Sequence, residues 1–231
     1  MGAGVGLSAG FADQYGDSAY VEMMRDEWIP WMVEGVELGE DVLDLVAGPG
    51  LTAASLRAPG RALTIAQAAP AFTAALARRF NGDTDVDVAD VDPWRLPFAD
   101  GRFSAVTAIL ALHHAPSIQL QDQTLREVAR VLRPGGAFAG LNALDGPHFR
   151  RMNTDAACVP VEPLGFPRRL RAAGFVDVTE TVWSFVRFTG RAPRPGHPAA
   201  DGGSAAAARA RPGDGREAAD VEPVATGRGG R

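Results

Sequence analysis

The stretch "VLDLVAGPG", residues 42–50, decides the fold of this chain. A short apolar run bounded by Gly and Pro predicts a fully buried strand ending in a tight turn. The following "LTAASL" predicts a short helix that Pro59-Gly60 ends. In a strand–loop–helix of this kind, glycines let the backbone approach a ligand, and amides at the helix start face it. A Gly-Pro-Gly sequence alone is equally a plain turn. Val46 and Ala47 stand where such a loop usually holds its least bulky residue.

Outward from this stretch the pattern is regular. Strands are expected at 41–47, 62–67 ("ALTIAQ"), 86–90 ("VDVAD"), 103–114 ("FSAVTAILALHH") and 137–144 ("AFAGLNAL"), with two more at 176–183 and 185–189. Between them lie helical patterns. One starts at Pro70 with Phe72, Leu76 and Phe80 on one stripe. Another carries Leu125, Val128, Ala129 and Leu132 and ends at "RPGG" (133–136), and a third is "FPRRLRAAG" (166–174). "YVEMMRDEWIPWMVEGV" (20–36) predicts an N-terminal helix broken near Pro30. Strands alternating with helices define an α/β protein: a single Rossmann-like domain whose mostly parallel seven-stranded sheet has helices on both faces. Its core is expected over 40–190, with a helical cap at 19–38 and a flexible N-terminus at 1–18.

Composition bounds the function. The formal charge is −5, with 46% hydrophobic residues and a mean hydropathy of −0.06. Residues 191–231 hold seven Arg against five acids, which leaves −7 on residues 1–190. An acidic body disfavours a nucleic-acid partner, since counterion release rewards clustered basic groups. No apolar run reaches the roughly 20 residues of a membrane span, and the N-terminus lacks a basic segment followed by an apolar block. Cys158, the single cysteine, excludes an internal disulfide and suits a reducing cytoplasm. The segment 191–231, rich in Pro, Gly, Ala and Arg, cannot bury enough apolar surface to order itself and is expected to be disordered.

In a parallel sheet, ligands bind beyond the carboxyl ends of the strands. Four segments are expected there. The first is Asp44–Gly50. The second holds Gln67, where an acidic residue commonly binds ribose hydroxyls; Gln can donate and accept but lacks the carboxylate's charge. The third holds Asp92, an acceptor for an exocyclic amine or simply a turn former before Pro93. The fourth is "LALHHAP" (110–116), where strand geometry would point His113 and His114 to opposite faces. His113 is the candidate proton acceptor, with a packed or capping histidine as the alternative. No carboxylate constellation has Mg²⁺ or Zn²⁺ ligand spacing, so no metal is expected.

The order "VLDLVAGPGLTAASL", "LTIAQAAPAFTAALARRF", "VDVADVDPWRLPFADGRFSAVTAILALHH", "LREVARVLRPGGAFAGLNALD", "LRAAGFVDV" resembles the class I S-adenosylmethionine-dependent methyltransferases, in particular small bacterial type-11 methyltransferase-domain proteins. The resemblance covers about residues 40–190. It implies S-adenosyl-L-methionine as cofactor, in contact with Asp44, Val46, Ala47, Gly48 and Gly50 in the loop. Gln67 and Ala68 would lie at the ribose, Asp92 and Pro93 at the adenine, and Ile109 and Leu110 (with Ala111) beside the sulfonium. It also implies that the N-terminal helix, with Tyr15, Tyr20, Trp28 and Trp31, lies over the site; core packing is the alternative for those aromatics. Asp145, His148 and Asp155 join His113 as candidate bases. The acceptor is expected to be a small molecule and the protein a monomer or homodimer.

Two positions depart from the family pattern, acidic-x-Gly-x-Gly-x-Gly. Val46 replaces the first glycine, so either the backbone stands farther from the ligand or Val46 takes a conformation disfavoured for a β-branched residue. Gln67 replaces the ribose carboxylate. These departures leave a second reading open, a catalytically silent protein that keeps the fold for binding or assembly. A nicotinamide-dependent domain is a poorer match, lacking G-x-G-x-x-G after the first strand.

Overall fold

A computed structural model describes residues 16–46, 48–68, 70–153 and 158–196. The expectations for residues 1–15 (Tyr15 included), Ala47, Asp155 and the tail from 197 lie outside the described residues.

Seven strands form one sheet: β1 Asp41–Leu45, β2 Ala62–Gln67, β3 Val86–Asp90, β4 Phe103–Ile109, β5 Leu132–Ala143, β6 Val176–Val182 and β7 Phe185–Arg191. Their spatial order is β3-β2-β1-β4-β5-β7-β6. The first five are parallel, and β7 runs antiparallel between β5 and β6. The expected α/β architecture, a mostly parallel seven-stranded sheet with helices on both faces, is therefore present. Central β1 and β4 are buried almost throughout, which is why they read as unbroken apolar runs. In β7, by contrast, buried residues alternate with half-buried ones.

Two apolar clusters cover the sheet. On one face, Leu125, Val128 and Val131 of α5 (Ile118–Val131) and Phe166 and Leu170 of α7 (Phe166–Ala172) pack with Leu43, Val106, Phe138 and Phe188. On the other, the N-terminal helices, α3 (Leu51–Ser55) and α4 (Pro70–Arg79) supply Met24, Met32, Ala53 and Leu76 against Val42, Ile65 and Ile109. The Ser117 hydroxyl caps α5 by accepting from Leu120 N at 3.2 Å. Arg130, in the last turn of α5, donates to the carbonyls of Leu96 (2.9 Å) and Phe98 (2.7 Å). The "LPFADGRF" loop is thereby held against the helix.

Three local expectations are corrected. The N-terminal helix is not broken at Pro30. It runs as α1 (Ser18–Met23), a π-helical stretch (Met24–Trp28) and α2 (Ile29–Val33), because the wider turn accommodates the missing proline donor. "RPGG" does not follow a helix end as a separate turn. Leu132 is already extended, and β5 runs through these residues across a register shift against β4. The fourth strand stops at Ile109 rather than continuing to residue 114, and residues 112–114 form a 3-10 turn.

Candidate active site

Parallel alignment brings the ends of β1 to β5 to one edge of the sheet. Asp44 sits one residue before the end of β1 and is fully buried. One carboxylate oxygen accepts a 2.9 Å hydrogen bond from the Thr107 hydroxyl; the other, Oδ2, has no hydrogen bond of normal geometry, although the Ala53 amide lies near the carboxyl. Burial pushes the Asp44 carboxyl up to about 7, with the Thr107 hydroxyl and the Ala53 backbone amide pulling the other way.

The loop after β1 settles one question left open by the sequence. Val46 adopts φ +56°, the left-handed conformation that suits glycine, so the chain path is kept and Val46 carries the strain. Its amide donates to Ala66 O at 2.7 Å, which ties the start of the loop to β2. Gly48 (φ +52°) and Gly50 (φ +81°) are also left-handed. A Cβ on Gly50 would stand 2.7 Å from Leu76 Cδ2 and 2.9 Å from Phe80 Cε2, so a side chain there would displace both in addition to straining the backbone. The close packing of α4 on this loop and the left-handed backbone therefore both favour glycine.

Gln67 ends β2 and is fully buried. Its Oε1 accepts from Ala68 N at 2.8 Å, and its Nε2 points to Gly48 O at 3.5 Å. The side chain thus bridges the first two loops of the edge. Asp92 is exposed, in a turn closed by Arg95 N to Asp92 O at 2.9 Å. Pro93 is buried and, with Val46, Ala111 and His114, lines a cavity of about 10 Å³, room for no more than a water. Ile109 and Leu110 are buried at the end of β4, and Leu110 turns the chain at φ +51° with its amide on Leu141 O at 2.7 Å.

His113 and His114 do not point to opposite faces, because they lie on the 3-10 turn rather than in a strand. Their rings lie 4.1 Å apart, and both are buried. Burial lowers His113 to about 4, with nearby Asn142 acting weakly in the other direction although no hydrogen bond of normal length joins them. His113 is therefore neutral at pH 7 and a weak base there. His114 is lowered well below its ordinary value, by burial and then by His113.

Past the end of β5 lies an open hollow of about 310 Å³ lined by Asp145, Phe149, Arg150, Asn153, Cys158 and Pro160. Exposed Asp145 is held below the usual carboxylate range by the Arg150 guanidinium, which it meets at 2.8 Å and 2.9 Å. His148 lies on α6 (Pro147–Met152). Trp28 packs on Phe185, their rings 4.3 Å apart, and Tyr20, Trp28 and Trp31 all join the core cluster beneath the N-terminal helices. For these aromatics, core packing is what the structure shows. Sequence reading missed Cys158 as a neighbour of the two histidines: its Sγ is 3.6 Å from His114 Nδ1. The residues are 44 positions apart, and no spacing rule joins them.

Sheet order, the loop after β1 and the arrangement of the strand ends define the class: this is the fold of the class I S-adenosylmethionine-dependent methyltransferases. Residues 43–140, 98 of the chain's 231, match the family described as "Methyltransferase domain". The chain is 37% identical over 98 residues to the demethylmenaquinone methyltransferase of Clavibacter sepedonicus, covering 42% of this chain and 39% of that one. It is 31% identical over 102 residues to a ubiquinone/menaquinone biosynthesis C-methyltransferase of Rubrivivax gelatinosus, covering 44% and 39%. The matched part thus spans about two fifths of the length of these relatives. Among solved structures it resembles the Haloferax volcanii putative methyltransferase described in complex with the Trm112 methyltransferase activator. There the TM-score is 0.63 at 19% identity, covering 79% of this chain and 95% of the other. Among the described residues, no helix is long and apolar enough to cross a membrane.

Proposed function

We propose that this chain binds S-adenosylmethionine along the carboxyl edge of the sheet and transfers its methyl group to a small-molecule acceptor. The observation that carries this reading is Asp44: a fully buried carboxyl, one oxygen held by Thr107 and the other left without a partner beside the left-handed loop. An unpartnered buried carboxylate oxygen is costly unless a ligand donor or cation completes it. The cofactor's methionine part carries such groups, so the residues present fit it. Its sulfonium supplies an electrophilic methyl group.

The chain's own contribution is positioning. The loop from Val46 to Gly50 would hold the methionine part, Gln67 and Ala68 would meet the ribose, and Asp92 with Pro93 would receive the adenine. Ile109 and Leu110 form an apolar wall that excludes water near the sulfonium. The acceptor would occupy the 310 Å³ hollow beyond β5, a volume suited to a small organic molecule. Among the described residues, Asp145 is the carboxylate lining that hollow; its ion pair with Arg150 lowers its basicity, so it would orient an acceptor rather than take its proton. His113, neutral and buried, would orient rather than deprotonate. The names of the relatives make a demethylated quinol the first acceptor to try.

Calorimetric titration with S-adenosylmethionine and S-adenosylhomocysteine tests the cofactor half. Label transfer from methyl-tritiated cofactor to a panel that includes naphthoquinols tests the acceptor half. Micromolar binding of both cofactor forms is expected. Absence of heat in the wild type and in Val46→Gly would overturn the reading and favour a silent scaffold.

A further inference from the structure

We infer that His113, His114 and Cys158 form a binding site for a divalent transition metal of the zinc type. One ligand atom from each residue lies within 4.8 Å of the others, the set a metal of this class prefers. The Cys158 Sγ to His114 Nδ1 separation is 3.6 Å. A tetrahedral ion with Zn–S of about 2.3 Å and Zn–N of about 2.0–2.1 Å spans an S···N edge of about 3.6 Å. That edge is already in place, and metal binding would draw the His113 nitrogen, which lies within 4.8 Å of the other two atoms, inward by up to about 1.5 Å.

The cluster is built rather than incidental. The 3-10 turn presents both imidazoles side by side, and Phe149 packs edge-on against His113 with the rings 5.1 Å apart. The segment carrying Cys158 is fastened to that turn: Val159 N donates to His113 O at 2.9 Å, and Gln121 Nε2 donates to Val159 O at 2.6 Å. His113 is 3% exposed, and its Nδ1 is buried without a hydrogen-bond partner. Cys158 binds as thiolate: a sulfur–metal bond forms as the thiol proton, now directed at Asn153 Oδ1 3.4 Å away, leaves to solvent. Asn153 then stays as a polar neighbour of the site.

Three protein ligands leave a fourth position, as in sites where a metal meets water or substrate. Cys158 and Asn153 both line the 310 Å³ hollow, so that position opens toward it. The inference does not depend on methyl transfer, because metal binding is measured in the absence of cofactor and acceptor.

The experiment is titration of the full chain, first treated with chelator, with Co²⁺ as a spectroscopic probe and with Zn²⁺. The expected result is one metal per chain, a sulfur-to-cobalt charge-transfer band in the near ultraviolet, and loss of that band when Zn²⁺ is added. Cys158→Ser, a near-isosteric change at a half-buried position, should abolish the band while the circular dichroism stays unchanged. His114→Gln should weaken Zn²⁺ binding by at least about tenfold, since even an outer partner of a metal ligand is worth that much. Cobalt binding without a thiolate band, or equal Zn²⁺ affinity in wild type and Cys158→Ser, would overturn the site. Should His114→Gln fail to fold, the serine variant alone decides.

Discussion

Thr107 donates its hydroxyl hydrogen to Asp44 Oδ1 at 2.9 Å, and the two residues are direct register partners between β1 and β4. The bond fixes one oxygen of the carboxyl and leaves Oδ2 unpartnered. Asp44 titrates near 7 in the fold against 3.8 ordinarily, because burial disfavours the charged form. Between those values the folded chain holds a proton that the unfolded chain releases. Asp44 therefore makes stability fall as pH rises from about 4 to 7, by on the order of a few kcal/mol. His113, lowered to about 4, acts oppositely over nearly the same window, since the unfolded chain binds the proton first. His114, lowered well below its ordinary value, adds to that opposing slope, so the wild type alone mixes several contributions. The difference between wild type and Asp44→Asn in urea unfolding should isolate the Asp44 slope, with the variant gaining relative stability toward pH 7. A difference independent of pH would show that Asp44 is ionised throughout.

The same proton bears on ligand binding. If a cationic part of the cofactor completes Oδ2, binding expels the Asp44 proton, and affinity should rise between pH 6 and 7.5. Isothermal titrations in buffers of different ionisation enthalpy would count the released proton. Zero release would place the cation elsewhere.

Val46→Gly sets two effects against each other. The left-handed backbone costs a non-glycine residue about 1–3 kcal/mol. The buried Val46 side chain, 5% exposed, returns about 1.5–3 kcal/mol through apolar burial. The two nearly cancel, so the melting temperature should move little. Cofactor affinity should nevertheless rise, because the side chain facing Pro93 and Ala111 is removed. A large loss of stability without tighter binding would mean that Val46 is chiefly a core residue.

Those loop positions also mark what the sequence made legible. The strand–helix alternation and the sheet edge carrying Asp44, Gln67 and Ile109 could be read, because buried parallel strands and their glycine turns are local signals. The strain at Val46 was foreseen as one of two outcomes. The orientation of His113 and His114 was not, because an apolar run leading into "LHH" does not announce where a strand yields to a 3-10 turn. The π-helical stretch before Pro30 is hidden for a similar reason: proline marks a disturbance of the helix without saying whether it ends or widens. Cys158 beside His114 is a tertiary contact with no local signature.

Gln67→Glu should tighten cofactor binding by about five- to tenfold, toward the low end of what a charge-assisted hydrogen bond gives. Two costs limit the gain. Gln67 is fully buried, so a carboxylate there gives up hydration, and its contact with Gly48 O turns repulsive. The lost Nε2 contact is long at 3.5 Å and worth little, while Ala68 N keeps an acceptor. Paired calorimetric titrations of wild type and variant measure the change. Weaker binding in the variant would mean that the glutamine bridge between the two loops matters more than charge at the ribose.

Arg187 joins the far end of the sheet to the cap over it. From β7 its guanidinium donates to Trp31 O and Glu34 O, each at 2.7 Å, where α2 ends and Trp31 O otherwise holds only a 3.3 Å bond from Glu34 N. It also lies over the Trp31 ring, 5.9 Å from the centroid. Arg187→Ala removes the donor from Glu34 O and leaves Trp31 O only its 3.3 Å bond from Glu34 N, and should cost about 1–3 kcal/mol, read as a lower urea midpoint. Because the cap packs in one apolar cluster with Ala53 of α3 while β1 is hydrogen-bonded between β2 and β4, the cap and β1 should respond differently. Amide hydrogen exchange should accelerate over residues 18–36, with residues 41–45 unchanged. Uniform acceleration across both segments would show that cap and sheet open as one unit.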